Sequence, residues 1–189
     1  MDNRFLNVVD REGNIIGVET REKIHREGLL HRIVHVWFYT PDKQLIFQRR
    51  GRSAETFPNL LDATVGGHVE IGSDYIQTAI AETREETGVD ARAEDFISIA
   101  ERRPDHPFKD PVTGTLNNHL KGIFALKFRG DIKNIKVGEG EDATIKFEAY
   151  PIEKILSLSK DEWLRNFIPS QREPEYFDIF QKIKELCDK

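Results

Sequence analysis

The chain has 189 residues, which is the size of one ordinary domain. Hydrophobic residues make up 38% of it and charged residues 32%, and twelve Phe supply bulky core material, which argues against wholesale disorder. The formal net charge of −5 and the single cysteine, Cys187, argue against a nonspecific nucleic-acid binder, an internal disulfide framework and a cysteine-rich zinc site.

No signal-peptide pattern opens the sequence, and no apolar run approaches the roughly 18 residues of a membrane span. We therefore expect a cytoplasmic protein that binds neither a nucleic-acid polymer nor a membrane. The length predicts a single domain over residues 1–189, with strands and a short helix in 1–30 and a helical extension in 160–189.

The first third of the chain is rich in short strand signals bounded by turns. A short helix is predicted over Thr20–Arg26, with Thr20 as its cap. A polar loop over Arg50–Asn59 then leads to an extended stretch that contains Gly66-Gly67. The predicted strands of this part are Phe5–Val9, Ile15–Val18, Ile33–Tyr39 and Gln44–Gln48, followed by the extended stretch Leu60–Val69.

The most regular helical pattern runs from about Asp74 to Thr87, with Ser73 as its predicted N-cap and Gly88 as its stop. An inner stripe at helical spacing consists of Ile76, Ala79, Ile80 and Thr83. Further strands are predicted at Phe96–Glu101, Leu120–Phe128 and Ala143–Ala149, and helices at Ile152–Leu158, Glu162–Phe167 and Glu175–Leu186. In the last helix, Phe177, Phe180 and Ile183 are expected to dock on the core. Strand pairs around one central helix predict an α+β fold with a mixed sheet.

Three carboxylates, Glu82, Glu85 and Glu86, fall on one face of the central helix. Like charges at this spacing repel, whereas a divalent cation such as Mg²⁺ would stabilise them. Taken alone, the three glutamates also fit a solvated acidic face relieved by Arg84. Gly66-Gly67 fits either a simple bulge or a close approach of the backbone to a metal or phosphate.

The stretch from Gly67 to Val89 resembles the sequence box of the Nudix hydrolases. The matching positions are Gly67, Glu82, Glu85, Glu86, Gly88 and Val89, while Ser73 and Ala81 stand where the box has Glu and Arg. The resemblance implies an α/β/α sandwich whose box helix lies in a loop–helix–loop. Because both members of a bracing ion pair are replaced together, the departures fit a change of scaffold better than a loss of catalysis.

The resemblance also implies cleavage of a phosphoanhydride by water with Mg²⁺ or Mn²⁺. The implied metal ligands are Glu82, Glu85 and Glu86 together with the backbone carbonyl of Gly66. The acidic loop 138–142 would add a catalytic carboxylate, with Glu139, Glu141 and Asp142 as candidates, or is simply a flexible acidic loop. Glu70 is a further candidate, against an ordinary exposed position.

The segment His25–Tyr39, together with Arg49-Arg50 and Phe57-Pro58, resembles the isopentenyl-diphosphate isomerase-like branch of this family. The cysteine and Glu-x-Glu of true isomerases are replaced here by Gly66 and by Asn117 and His119. Neither Gly nor Asn transfers a proton, so we expect a hydrolase and not an isomerase.

Several polar residues outside the box have two interpretations. Arg49 and Arg50 are candidate phosphate contacts, since a guanidinium binds phosphate bidentately, or they are solvated. His119 either reaches the pocket or is an ordinary strand residue. His25 and His31 stand where isomerases bind a metal, although polar residues at a helix end and a strand start fit them too. His35, in an apolar strand, is expected to be a hydrogen-bonded core histidine.

The predicted function is metal-dependent hydrolysis of a nucleoside diphosphate linked to another moiety, or of a related small diphosphate. The alternative is a weakly active or non-catalytic module that binds a ligand. A homodimer through the N-terminal strands or the last helix is expected only at the level of the family.

Overall fold

The computed structural model describes residues 4–52, 57–137, 146–171 and 174–188. Within them the chain forms eleven strands and five α-helices. The strands are β1 (Phe5–Val9), β2 (Ile15–Thr20), β3 (His31–Tyr39), β4 (Gln44–Arg49), β5 (Leu61–Asp62), β6 (Val65–His68), β7 (Phe96–Arg102), β8 (Phe108–Lys109), β9 (Leu116–Asn117), β10 (His119–Lys127) and β11 (Lys146–Pro151). The helices are α1 (Arg21–Glu27), α2 (Tyr75–Thr87), α3 (Ile152–Leu156), α4 (Lys160–Asn166) and α5 (Pro174–Cys187).

Nine of these strands form one mixed sheet that is centred on β3. β3 pairs antiparallel with β1, β4 and β6 and parallel with β10, and β10 continues to β7. β1 and β2 make the N-terminal edge, β11 and β5 pair with β4, and β8 and β9 form a separate hairpin. The mixed sheet with helices confirms the predicted α+β class.

β3 is covered on both faces, as its run of apolar residues predicts. Because successive side chains of a strand alternate between faces, Val34, Val36 and Phe38 pack in a cluster with Ala79 of α2. On the other face Trp37 and Tyr39 join a cluster that includes residues of α5. The sheet is therefore sandwiched between helices, with α2 on one side and α5 on the other.

Helix α5 docks through a stripe different from the predicted one. Tyr176, Ile179, Phe180 and Ile183 are at most 3% exposed, whereas Phe177 is 43% exposed. The positions i, i+3, i+4 and i+7 lie on one helix face, and Phe177 is one residue out of phase with them. The expectation that Phe177 packs in the core was wrong, and those for Phe180 and Ile183 are confirmed.

Alanine substitutions of Phe180 and Phe177 should distinguish the buried stripe of α5 from its exposed face. Its ring is fully buried, and its centroid lies 4.8 Å from that of Trp37. Phe180→Ala should lower the free energy of unfolding by about 3–5 kcal/mol because it leaves a cavity in a closely packed layer. Phe177→Ala, on the same helix, should cost less than about 1 kcal/mol. Urea unfolding of both variants checks this, and equal losses would contradict the packing described here.

The caps of α1 and α2 explain why these helices begin and end where they do. The side chain of Thr20 accepts a hydrogen bond from the Lys23 N–H, which confirms the predicted cap of α1. Helix α2 is capped by Asp74, in a capping box with Gln77, so the predicted Ser73 cap was one residue early. Gly88 ends α2 in a left-handed conformation (φ 69°), as predicted. Among the described residues, the structure has no helix of the length and apolarity needed to cross a bilayer.

Candidate functional site

The box glutamates lie on α2, where this helix packs against β6. Glu82 and Glu86 are partly buried, while Glu85 is exposed. Glu82 packs so closely on Gly67 that a Cβ built there would overlap its carboxyl group. On the preceding residue, the Gly66 N–H donates a hydrogen bond to Glu86 Oε2 at 3.3 Å. The two glycines therefore allow two carboxylates to approach the backbone of β6.

The electrostatics of this pair favour a bound cation. Burial, and then the neighbouring carboxylates Glu85 and Glu70, raise the pKa of Glu82 to about 7. Burial and the charge of Glu82 raise the pKa of Glu86 to about 8, against the opposing hydrogen bond from Gly66. Burial and mutual repulsion thus destabilise the charged forms of Glu82 and Glu86. A divalent ion that prefers oxygen ligands would stabilise these negative charges. The donors therefore fit Mg²⁺ or Mn²⁺.

The other acidic residues proposed from the sequence are Glu70 and the acidic loop 138–142. Glu70 is exposed, and its backbone forms an isolated β-bridge with Leu6. Glu139, Glu141 and Asp142 lie outside the described residues, so the predicted catalytic carboxylate of this loop stays a prediction. The role of the Gly66 carbonyl as a ligand also stays a prediction.

The two positions that depart from the Nudix sequence pattern are Ser73, just before α2, and Ala81, within this helix. Ala81 is exposed on α2. Ser73 lies in the turn before the helix, where its N–H donates to the Glu70 carbonyl at 3.1 Å. An exposed alanine leaves no buried charge unpaired, which agrees with a change of scaffold.

Arg49 and Arg50 are both engaged with carboxylates. The guanidinium of Arg49 on β4 donates to Glu148 of β11 and, at 2.5 Å, to the carbonyl of Asn59. Arg50 donates to Asp62 at 3.2 Å, and Asp62 is buried. The negative charge of Asp62 contributes to the raised pKa of Glu86, so the Arg50–Asp62 pair lies near the box carboxylates. A substrate role for either arginine stays a prediction.

The Arg49–Glu148 pair should make stability depend on acid pH. Hydrogen bonds from Arg49, opposed by burial and aided by Tyr150, lower the pKa of Glu148 to about 2. The stabilisation is therefore complete above the unfolded pKa of 4.5 and is lost as the pH falls through about 2. Glu148→Gln should lower the free energy of unfolding by about 1 kcal/mol near neutral pH, since solvent screens part of the pair. This deficit should vanish near pH 2.

Urea unfolding at several pH values measures this deficit directly. Glu94→Gln, on an exposed residue, is the matched control and should show no such trend. A Glu148→Gln deficit that is independent of pH would contradict the assigned ion pair.

Four histidines meet at the end of the sheet where α1 joins it. His25 comes from α1, His31 from β3, His68 from β6 and His119 from β10, and one nitrogen from each lies within 4.8 Å of the others. His31 and His119 are register partners on the parallel strands, with ring centroids 4.7 Å apart. The sequence singled out His25, His31 and His119 separately but missed His68. Its position directly after Gly67 was the one available signal.

Burial makes three of these four imidazoles poor bases. It lowers the pKa of His31 to about 4, and it lowers those of His68 and His119 well below the ordinary value. Burial also lowers the pKa of His35, to about 3, but this residue lies outside the cluster, and its Nδ1 shares a hydrogen bond of 3.1 Å with the hydroxyl of Tyr176. It is buried, which confirms the predicted core histidine.

The histidines and the box glutamates lie on opposite faces of β6. Gly67 pairs with Val34, whose side chain points to the face of the sheet covered by α2. The side chain of Glu82 packs on Gly67 from this same face. His68 is the next residue, so its side chain points to the other face, as does that of its partner Ile33. The two groups of potential ligands are therefore two sites and not one.

Comparison with known proteins identifies the family. Residues 29–171 match the model of the NUDIX domain. The chain is 33% identical over 102 residues to a Nudix hydrolase of Clostridium acetobutylicum, covering 52% of this chain and 49% of that protein. It is 27% identical over 191 residues to Nudix hydrolase 3 of Arabidopsis thaliana, covering 99% of this chain and 24% of that protein. The chain thus spans half or less of the length of these relatives.

A similarity in structure agrees with these matches in sequence. The crystal structure of DR0079 from Deinococcus radiodurans superposes with a TM-score of 0.67 at 20% identity, covering 95% of this chain and 98% of that one. At this identity the likeness establishes the fold alone. Because the family model matches well over half of the residues, the chain belongs to the NUDIX domain family.

Proposed function

We propose that the protein is a metal-dependent pyrophosphohydrolase that cleaves a nucleoside diphosphate linked to another moiety, or a related small diphosphate. The observation that carries this proposal is the pair of partly buried carboxylates, Glu82 and Glu86, held against Gly67 and Gly66. Membership of the family supports the reaction class, and the charge of the pair supports Mg²⁺ or Mn²⁺ as the cofactor.

In this proposal each residue of the site has a separate role. Glu82 and Glu86 hold the cation, the Gly66 N–H fixes the carboxylate of Glu86, and Glu85 adds negative charge at the exposed rim. When bound, the cation would neutralise the diphosphate and acidify the attacking water. Arg50, which pairs with Asp62 near Glu86, would contact a phosphate oxygen. Arg49 would do so only by sharing its guanidinium with Glu148.

We assign the chain to the isomerase-like branch, without isomerase activity. Gly66 and Asn117 stand where proton-transfer groups would be needed, and neither side chain transfers a proton. Isopentenyl diphosphate incubated with the protein and Mg²⁺ should therefore give no dimethylallyl isomer above a metal-only control, as measured by ¹H NMR. Isomer formation that depends on the protein would contradict the assignment.

A substrate screen tests the proposed function. Diphosphates of several classes, including nucleoside diphosphate sugars, dinucleoside polyphosphates and prenyl diphosphates, are incubated with the protein with Mg²⁺ or with a chelator. We expect phosphorylated products from at least one class in Mg²⁺ and none with the chelator. Binding of such a compound without cleavage in either Mg²⁺ or Mn²⁺ would favour a ligand-binding module instead.

A further inference from the structure

We propose that Asp62 is a positioning residue for substrate binding, because it holds the guanidinium of Arg50 near the box glutamates. The inference rests on the proposed function, in which Arg50 would contact a phosphate oxygen of the diphosphate. Asp62 ends β5, and Arg50 directly follows β4. In this role Asp62 acts through Arg50 and need not touch the substrate itself.

The ion pair between the two residues is largely sheltered from solvent. Arg50 Nη1 donates a hydrogen bond to Asp62 Oδ2 at 3.2 Å. The side chain of Asp62 is 12% exposed and that of Arg50 is 26% exposed, so water and salt screen this pair less than a pair on the surface. A guanidinium carries five N–H donors, so Arg50 can keep this hydrogen bond and bind a phosphate oxygen at the same time.

Two further donors fix the carboxylate of Asp62 through its other oxygen. Asp62 Oδ1 accepts hydrogen bonds from the Ala63 N–H at 2.7 Å and from Gln171 Nε2 at 2.6 Å. Gln171 is fully buried and follows α4, in a segment that is tied to β5 by a hydrogen bond of 3.1 Å from the Ile168 N–H to the Leu61 carbonyl. Because both of its oxygens are bound, the carboxylate offers Arg50 an acceptor of fixed position.

The backbone of Arg50 is held as well. Its N–H donates to the carbonyl of Leu60 at 3.0 Å, and its carbonyl accepts from the Asn59 N–H at 3.3 Å. The Arg50 side chain is therefore fixed at both ends, by the backbone at Cα and by Asp62 at the guanidinium. An arginine that is already ordered loses less conformational entropy when it binds a phosphate, so the pair favours substrate binding.

Asp62 lies close to the box carboxylates. It is four residues before Gly66, whose N–H donates to Glu86. Its negative charge is also among the causes that raise the pKa of Glu86. We therefore expect a diphosphate bound to a cation at Glu86 to meet the guanidinium that Asp62 holds.

The substitution Asp62→Asn disconnects Arg50 and keeps the other contacts of this side chain. The amide oxygen of asparagine can still accept from Ala63 and Gln171, whereas its NH₂ group would face the guanidinium and cannot accept a hydrogen bond. Calorimetry on the full chain in Mg²⁺ measures the Kd of imidodiphosphate, a diphosphate analogue whose P–N–P bridge resists hydrolysis. We expect Asp62→Asn and Arg50→Ala each to raise this Kd by about tenfold to a hundredfold.

The double variant separates a positioning role from a structural one. In the Arg50→Ala background, Asp62→Asn should change the Kd by less than about twofold, because Asp62 acts only through Arg50. Glu153→Gln removes an exposed carboxylate that pairs with Lys184, and this control should bind imidodiphosphate as wild type does. Thermal unfolding checks that each variant is folded, and Arg50→Gln, which keeps a donor for Asp62, replaces Arg50→Ala if alanine prevents folding.

Three results would overturn the proposal: wild-type affinity in Asp62→Asn, losses that simply add in the double variant, and no binding of imidodiphosphate by wild type at about 5 mM. Additive losses would mean that Asp62 acts on the metal or on the fold and not through Arg50. Coupled losses in a protein that cleaves no compound of the substrate screen would support the role of Asp62 and overturn the proposed function alone.

Discussion

Replacing Glu86 with glutamine should lower Mg²⁺-dependent hydrolysis by at least about a hundredfold and leave the metal-free protein at least as stable as wild type. The loss is expected because, in the proposed site, Glu86 would supply a charged ligand that glutamine cannot replace. The stability is expected because Glu86 is partly buried beside Glu82, and glutamine removes a repelled charge while keeping the shape. Glu85→Gln should also remove most of the activity, without any gain in stability, because Glu85 is exposed.

Turnover of a substrate from the screen, measured across a Mg²⁺ titration, and urea unfolding in a chelator check the two halves of this prediction. Glu94→Gln removes one charge from an exposed residue and should behave as wild type in both measurements. Unchanged turnover of Glu85→Gln and Glu86→Gln at saturating Mg²⁺ would remove the basis of the metal assignment.

Gly67→Ala is expected to cost as much activity as loss of a glutamate, although it changes no polar group. The new methyl group would occupy the space of the Glu82 carboxyl group, which must then move away from β6. A displaced ligand weakens the cation site, so we expect a loss of turnover of about a hundredfold or more and a higher Mg²⁺ requirement. Since Gly67 has no left-handed backbone angle, the backbone itself tolerates alanine.

Mg²⁺ titration of Gly67→Ala measures both effects. Gly17→Ala is the matched control, because a Cβ at this strand position meets no atom within 4 Å. Wild-type turnover and Mg²⁺ dependence in Gly67→Ala would show that Glu82 does not need its present position for catalysis.

The parts of the fold that depend on local signals could be predicted from the sequence. Thr20 and Gly88 mark helix ends through hydrogen bonds to near neighbours, and the apolar run of β3 already indicates a strand buried on both faces. The three box glutamates share a helix, so their proximity follows from helical periodicity alone. The prediction that Phe177 is buried was wrong because α5 carries apolar residues on more than one face. Which of these faces is buried depends on the position of Trp37 and its neighbours, which the sequence of the helix does not show.

Contacts between distant segments could not be read in the same way. The histidine cluster needs the parallel pairing of β10 with β3, which brings His119 beside His31 across 88 positions of sequence (119 − 31). Arg49 and Glu148 meet only because β11 pairs with β4. The sequence shows that these side chains can bind phosphate, protons or metal, but the sheet topology decides which partner each one meets.

Anomalous diffraction from crystals soaked in Mn²⁺ would show directly whether the box glutamates bind a metal ion. We expect a manganese peak bounded by the carboxylates of Glu82 and Glu86 and by the Gly66 carbonyl, with metal–oxygen distances of about 2.0–2.3 Å. The same peak should be absent from crystals of Glu86→Gln. Wild-type crystals without manganese between these groups at saturating Mn²⁺ would contradict the assignment of the box as the catalytic metal site.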